Sequence, residues 1–147
     1  MDETAFRQAR KAAIQHPCPF EKALLAHCGA CSLSARMNIA EREAVACLDA
    51  AARDACATLL GLMRRNSAFA LHLALSDAPL THAQEMKVQC GGLAGLQRSL
   101  TGKEAIGDIH ALVLAARRAH ADLASLPYAK IVQSVAAWQT RRRARQS

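Results

Sequence analysis

The chain is organised around residues 16–56, which read HPCPFEKALLAHCGACSLSARMNIAEREAVACLDAAARDAC. Thiolates bind soft or borderline metals, chiefly zinc and the iron of iron–sulfur clusters. A single buried cysteine often fills space in a core, but so many in one stretch are harder to explain by filling. The stretch therefore predicts a metal centre. It holds five of the six cysteines of the chain: Cys18, Cys28, Cys31, Cys47 and Cys56.

Four of these five cysteines are the predicted metal ligands, and the sequence leaves open which four. Cys28-Gly-Ala-Cys31 is a C-x-x-C pair, a spacing at which both sulfur atoms are able to face one metal atom. Cys18 lies between two prolines, which hold it outside a helix and leave its sulfur free to turn toward a partner. The remaining candidates are Cys47 and Cys56, which compete for the fourth place, and the less favoured Cys90.

Cys47 and Cys56 are able to share one centre only if the chain breaks between them. On one uninterrupted helix a spacing of nine residues places two side chains about half a turn out of phase. Asp49 supplies a break, because Asp followed by three alanines is typical of a helix N-cap. The sequence predicts a long helix after this cap, from about Ala50 to Leu75.

The composition favours helices. Hydrophobic residues make up 52% of the chain but aromatic residues only 3%, and alanine and leucine carry most of the apolar content. The prediction is an all-α fold, a single compact domain of about seven helices wrapped around a cysteine-ligated metal centre. Residues 1–140 form this domain and residues 141–147 a basic C-terminal tail.

The predicted helices have recognisable starts. Caps are expected at Asp2, Asn38, Thr81 and Asp108, and the helix from Asn38 carries Ile39 and Val45. A turn is expected at Cys90-Gly91-Gly92, before a short helix over residues 93–100. The last helix starts at Pro127 and presents Ile131, Val135 and Trp138 as an apolar stripe that packs on the core.

The spacing of the cysteines favours an iron–sulfur cluster, most simply [4Fe–4S], over zinc. Structural zinc sites usually contain two close ligand pairs, whereas this stretch has one. A proline beside a ligand, as at Cys18, recurs in cluster loops. Zinc is the alternative, and His16 and His27 are weaker ligand candidates beside the cysteines. Cations near in sequence that would offset the charge of a cluster are Lys22, Arg36, Arg42 and Arg53.

The favoured function is therefore electron transfer or redox sensing by a small iron–sulfur protein that has a redox protein partner. The alternative is a zinc-stabilised helical module that binds nucleic acid through a basic surface, since the net charge is +7. A thiol enzyme is less favoured, because C-x-x-C lacks the βαβ context of thioredoxin-like proteins. The cationic tail suits nucleic acid or an anionic membrane through Arg141, Arg142, Arg143 and Arg145.

The sequence also predicts a cytoplasmic protein without a transmembrane segment. The first residues lack the basic start and apolar run of a signal peptide. The longest apolar run, residues 68–75, contains His72 and is too short to span a bilayer. Structural disulfides are rare in the cytoplasm, which is a further reason to expect metal or redox chemistry from the cysteines.

Overall fold

The computed structural model describes residues 2–72, 79–103 and 105–139. The predicted basic tail, residues 141–147, lies outside these ranges. Helices α4 and α5 are joined by a π-helical segment into one continuous helix, so the described residues hold six helices and one hairpin. The elements are α1 (Glu3–Ala13), α2 (Glu21–Leu25), β1 (Ser34–Ile39), β2 (Arg42–Cys47), α3 (Ala50–Ser67), α4 (His82–Met86), the π-helical segment (Lys87–Gly91), α5 (Gly92–Thr101), α6 (Ile109–Ala119), a 3₁₀ turn (Leu123–Ser125) and α7 (Tyr128–Ala137).

The prediction of an all-α fold is wrong, because the segment expected to form a helix from Asn38 forms an antiparallel β-hairpin. The two strands pair in register from Ser34 opposite Cys47 to Ile39 opposite Arg42. Hairpin turns of two residues usually contain Gly or Asn. Here the turn is Ala40-Glu41, with Ala40 in the left-handed region at φ 57°. The turn therefore lacks the residues that mark a hairpin, and the fold is mixed.

Tertiary contacts explain why this alanine-rich segment is a strand. Helix α1 packs on the hairpin, where Phe6 and Ile14 form a small core with Ile39 and Ala44. The chain just before α2 pairs with the other edge of β2, since the Cys47 N–H donates to the carbonyl of His16 at 2.7 Å. Pairing and burial on this scale override a modest helix propensity.

The prediction that the domain wraps around a metal centre is also wrong as a description of its core. The middle of the main core is apolar, formed by fully buried side chains such as Leu59, Met63, Leu93 and Ile131. Within the described ranges, no group of three or more His, Cys, Asp or Glu residues is arranged to hold a metal ion. Cys56 and Cys90 are buried in this core, and three further cysteines pack against it partly buried: Cys18, Cys28 and Cys31.

Four of the predicted helix caps are confirmed. Each side chain accepts a hydrogen bond from a backbone N–H in the first turn of its helix, at 2.7 to 3.2 Å. The predicted break between Cys47 and Cys56 is confirmed as well, since the first ends β2 and the second lies in α3. Among the described residues no helix is both long and apolar enough to cross a membrane. The confirmed caps are Asp2, Asp49, Thr81 and Asp108.

The α3 helix is shorter than predicted. It ends at Ser67, turns follow to His72, and the rest of the predicted span lies outside the described residues. Phe69, which lies two residues beyond the end of the helix, is 94% exposed.

The predicted turn at Cys90 is wrong, because the π-helical segment carries the helix through it without a break. The glycines of this region allow close helix packing. A Cβ atom added to Gly91 would lie 2.8 Å from the Cα atom of Val135 in α7. The apolar stripe of α7 packs on the core as predicted, with Ile131 and Val135 buried and Trp138 half-buried.

We expect Gly91→Ala to destabilise the protein by about 2 kcal/mol or more, because the new methyl group would contact backbone atoms that cannot turn aside. Gly61→Ala is the matched control. Its added Cβ atom would meet no atom within 4 Å, and alanine in a helix interior is worth about 0.5–1 kcal/mol over glycine. Urea unfolding of the two variants measures both effects. Equal stability of the two variants would show that the π-helical segment and α7 are not in close contact.

Candidate functional site

Four cysteines line one small cavity at the edge of the core. They come from four separate parts of the chain: the loop before α2, the loop after α2, the end of β2 and the second turn of α3. One is buried and the other three are half-buried. The cavity has a volume of about 10 Å³, which is room for about one water molecule. These cysteines, called the cavity cysteines below, are Cys18, Cys31, Cys47 and Cys56.

Strand β2 positions two of the cavity cysteines. The Cys18 N–H donates to the carbonyl of Val45 at 3.0 Å, which places the loop before α2 beside the strand. The Phe20 N–H donates to the Cys18 sulfur. Cys47 is the last residue of the strand, and its thiol donates to the carbonyl of Asp49 at 3.2 Å. Both sulfur atoms are thus held by backbone pairing close to the start of α3.

The start of α6 positions Cys31. Its neighbour Ala30 forms a parallel bridge with Asp108, and the Ile109 N–H donates to the Ala30 carbonyl at 2.8 Å. The Asp108 carboxylate accepts hydrogen bonds from the backbone N–H and the hydroxyl of Ser32, both at 2.9 Å. The loop after α2, called the cysteine loop below, is therefore held on both sides of Cys31 by Asp108 and Ile109.

We expect Asp108→Ala to lower the free energy of unfolding by about 1–2 kcal/mol at neutral pH, since it removes a helix cap and the contacts to Ser32. Burial raises the pKa of Asp108, but hydrogen bonds from Ser32 and His110 outweigh burial and hold the pKa below its ordinary value of 3.8. The stabilisation is therefore complete above about pH 4 and is lost as the pH falls through the folded-state pKa.

The measurement for Asp108 is urea unfolding of the wild type and the variant at about pH 6 and about pH 3. The difference between the two proteins should shrink at the lower pH. Ser32→Ala is the matched control, because it removes the hydroxyl contact and leaves the helix cap in place. A difference that grows on acidification would contradict the proposed role of the carboxylate.

Cys28 does not line the cavity, although the sequence places it among the first candidate ligands. It is joined by a disulfide to Cys90, 62 residues away, with their Cα atoms 5.8 Å apart. Cys90 lies in the π-helical segment and is 1% exposed. The chain turns sharply just before Cys28, where His27 adopts φ 59°. Of the two cysteines of the C-x-x-C pair, Cys28 therefore forms a disulfide and Cys31 lines the cavity.

The cavity walls combine apolar and polar groups. Phe20, Leu33 and Ile109 supply apolar surface, while Arg53 and His110 also line the cavity. The Arg53 Nε donates to the carbonyl of Pro17 at 3.4 Å, which keeps the guanidinium at this edge. His110 was not among the histidines favoured from the sequence, because nothing local connects it to the cysteines. The other predicted cations and histidines, which do not line the cavity, are Lys22, Arg36, Arg42, His16 and His27.

The environment of Cys18 and Cys56 favours the protonated thiol in the absence of a bound cation. Burial, with a smaller contribution from the neighbouring cavity cysteines, raises the pKa of Cys56 to about 12. Burial likewise raises the pKa of Cys18 to about 12, against the opposing effect of the Phe20 N–H. Reactive cysteine nucleophiles have lowered pKa values. These two thiols are therefore unsuited to nucleophilic catalysis, whereas a metal replaces the proton when it binds.

Comparison with protein-family models, with curated proteins and with solved structures finds no match to this chain.

Proposed function

We propose that the four cavity cysteines bind an iron–sulfur cluster, most simply [4Fe–4S], and that the protein acts in electron transfer or redox sensing. The observation that supports this most directly is that four thiol groups from four separate segments line one cavity. Four cysteine thiolates are the usual ligand set of such clusters. The disulfide between Cys28 and Cys90 removes the fifth candidate, which leaves a set of four.

The arrangement favours a cluster over a single zinc ion. Zinc gathers its four ligands around one point, at about 2.3 Å for each sulfur. No such group exists among the residues of the described ranges, although the four thiols share a cavity. A [4Fe–4S] cluster binds each thiolate at a different iron atom, so its ligands are spread more widely. The cavity must widen to admit it, and two of the four ligands, Cys18 and Cys31, lie outside the helices and strands.

The position of the site suits exchange of electrons with another protein. Three of the cavity cysteines are half-buried, so a bound cluster would lie near the surface rather than in the apolar core. Hydrogen bonds and charge near the sulfur atoms set the potential of a cluster. Arg53 and His110 line the same cavity and supply such groups. A redox protein partner would dock on this face.

The test is anaerobic reconstitution of the full chain with iron and sulfide, followed by absorption spectroscopy and analysis for iron, sulfide and zinc. We expect broad visible absorption and about four iron and four sulfide per chain. About one zinc per chain without sulfide would show that the four cysteines form a zinc site and not a cluster site. A chain that retains neither iron nor zinc in stoichiometric amounts would overturn the proposal.

A further inference from the structure

A larger groove lies beside the cysteine cavity. It has a volume of about 950 Å³, within the roughly 300–1,000 Å³ range of small-molecule sites. Its walls come from α1, α2, α3, α4 and the start of β2. Cys18 and Pro19 line both this groove and the cysteine cavity. A molecule bound in the groove would therefore lie next to one of the proposed cluster ligands.

The groove is strongly cationic. Six lysine and arginine side chains line it against three glutamates, an excess of three positive charges with His82 neutral. Charges of one sign in a concave site reinforce one another and attract counter-ions more strongly than the same charges on a convex surface. The six cations are Arg7, Arg10, Lys22, Arg42, Arg64 and Arg65.

Each of the three glutamates is already engaged by an arginine. Glu85 is 7% exposed, lies 2.7 Å from Arg64 and also accepts from the amide of the buried Gln89. The other two pairs bridge separate elements. They are Arg42 with Glu3, at 2.8 Å, and Arg10 with Glu21, at 3.2 Å. Glu3 also pairs with Arg7, at 3.5 Å, so four of the six cations lie in ion pairs that hold the groove walls together.

Two groove cations are not paired with a carboxylate among the described residues and are available to bind a ligand. In the part of the chain that the structure describes, Lys22 and Arg65 form no ion pair with a carboxylate. The Lys22 ammonium contacts the Nδ1 atom of His82 at 2.8 Å across the groove. A neutral histidine accepts this hydrogen bond and leaves the positive charge uncompensated.

We propose that this groove binds a small anion with at least two negative charges, such as a phosphate ester or a polycarboxylate. Lys22 and Arg65 supply the uncompensated charge, and arginine presents a planar set of donors that matches phosphate and carboxylate oxygens. An anion with one charge would leave the groove with a clear excess of positive charge. This inference is independent of the proposed function, because it uses no metal at the cysteine cavity.

The experiment is calorimetric titration of the full chain with inorganic pyrophosphate and with citrate, at constant ionic strength set by chloride. We expect saturable binding of at least one of the two anions. Lys22→Gln with Arg65→Gln should weaken that binding by about ten-fold or more, the effect of losing one or two charge-assisted hydrogen bonds. The matched control is Arg117→Gln with Arg118→Gln, which removes two exposed charges of α6 outside the groove.

The outcomes separate the two chemical classes. Binding of pyrophosphate alone would assign the groove to phosphate-bearing ligands, and binding of citrate alone would assign it to polycarboxylates. No saturable binding of either anion would overturn the proposal. An equal loss in the α6 control would also overturn it, because the effect would then belong to net charge and not to the groove. Thermal unfolding of each variant confirms that it is folded.

Discussion

Serine in place of Cys56 is expected to reduce the iron and sulfide that the chain retains after anaerobic reconstitution by more than about ten-fold. Cys56 is 9% exposed and faces the other three cavity cysteines. Serine keeps the size of the side chain but offers a hydroxyl, which is a harder and much less acidic ligand than a thiol. Visible absorption together with iron and sulfide analysis measures the loss. Cys18→Ser, Cys31→Ser and Cys47→Ser should behave in the same way.

Cys28→Ser and Cys90→Ser are the controls, since they break the same disulfide and leave all four cavity cysteines in place. Both should retain the cluster. If Cys28 were itself a ligand, Cys28→Ser would lose iron while Cys90→Ser kept it. That result, with Cys56→Ser unaffected, would favour a ligand set that includes both cysteines of the C-x-x-C pair. It would contradict the proposal that the four cavity cysteines bind the cluster.

Reduction of the Cys28–Cys90 disulfide is expected to lower the free energy of unfolding by about 4 kcal/mol. The bond spans 62 residues, so it removes many conformations from the unfolded chain. It also ties the loop after α2 to the π-helical segment between α4 and α5. Urea unfolding of the metal-free chain, with and without dithiothreitol, measures the difference.

The matched control for this prediction is the double variant Cys28→Ser with Cys90→Ser. It should unfold at the lower urea concentration of the reduced wild type, and dithiothreitol should not shift it further. A wild type that unfolds at the same urea concentration in both conditions would show that the bond does not stabilise the protein in solution.

Local signals in the sequence were sufficient for most helix starts. Asp49 and Asp108 each precede an apolar helix and accept a hydrogen bond from its first turn, a contact that depends on neighbouring residues alone. The hairpin could not be found in this way. Its turn has alanine where glycine or asparagine is usual, and its stability depends on α1 and on the loop before α2.

The sequence was sufficient to predict that the candidate site consists of cysteines, but not which cysteines belong to it. The density of cysteines in residues 16–56 is visible in the sequence, and all four cavity cysteines belong to that stretch. The separation of Cys28 from Cys31 is not visible, because it depends on a bond to the distant Cys90 and on the clamp that Asp108 places on the cysteine loop. Spacing alone made the C-x-x-C pair resemble a shared ligand pair.

The π-helical segment makes the long helix tolerant of a change in chain length at one point. A π-helical turn holds about one more residue than an α-helical turn, whereas each residue of an α-helix adds about 100° of rotation. Deleting one residue from Lys87–Gly91 would thus leave an α-helical turn and keep α4 and α5 in nearly the same relative orientation. Deleting one residue from α4 after His82 would instead rotate His82 away from the groove by about 100°. Single-residue deletions should therefore be tolerated better within this segment than in α4.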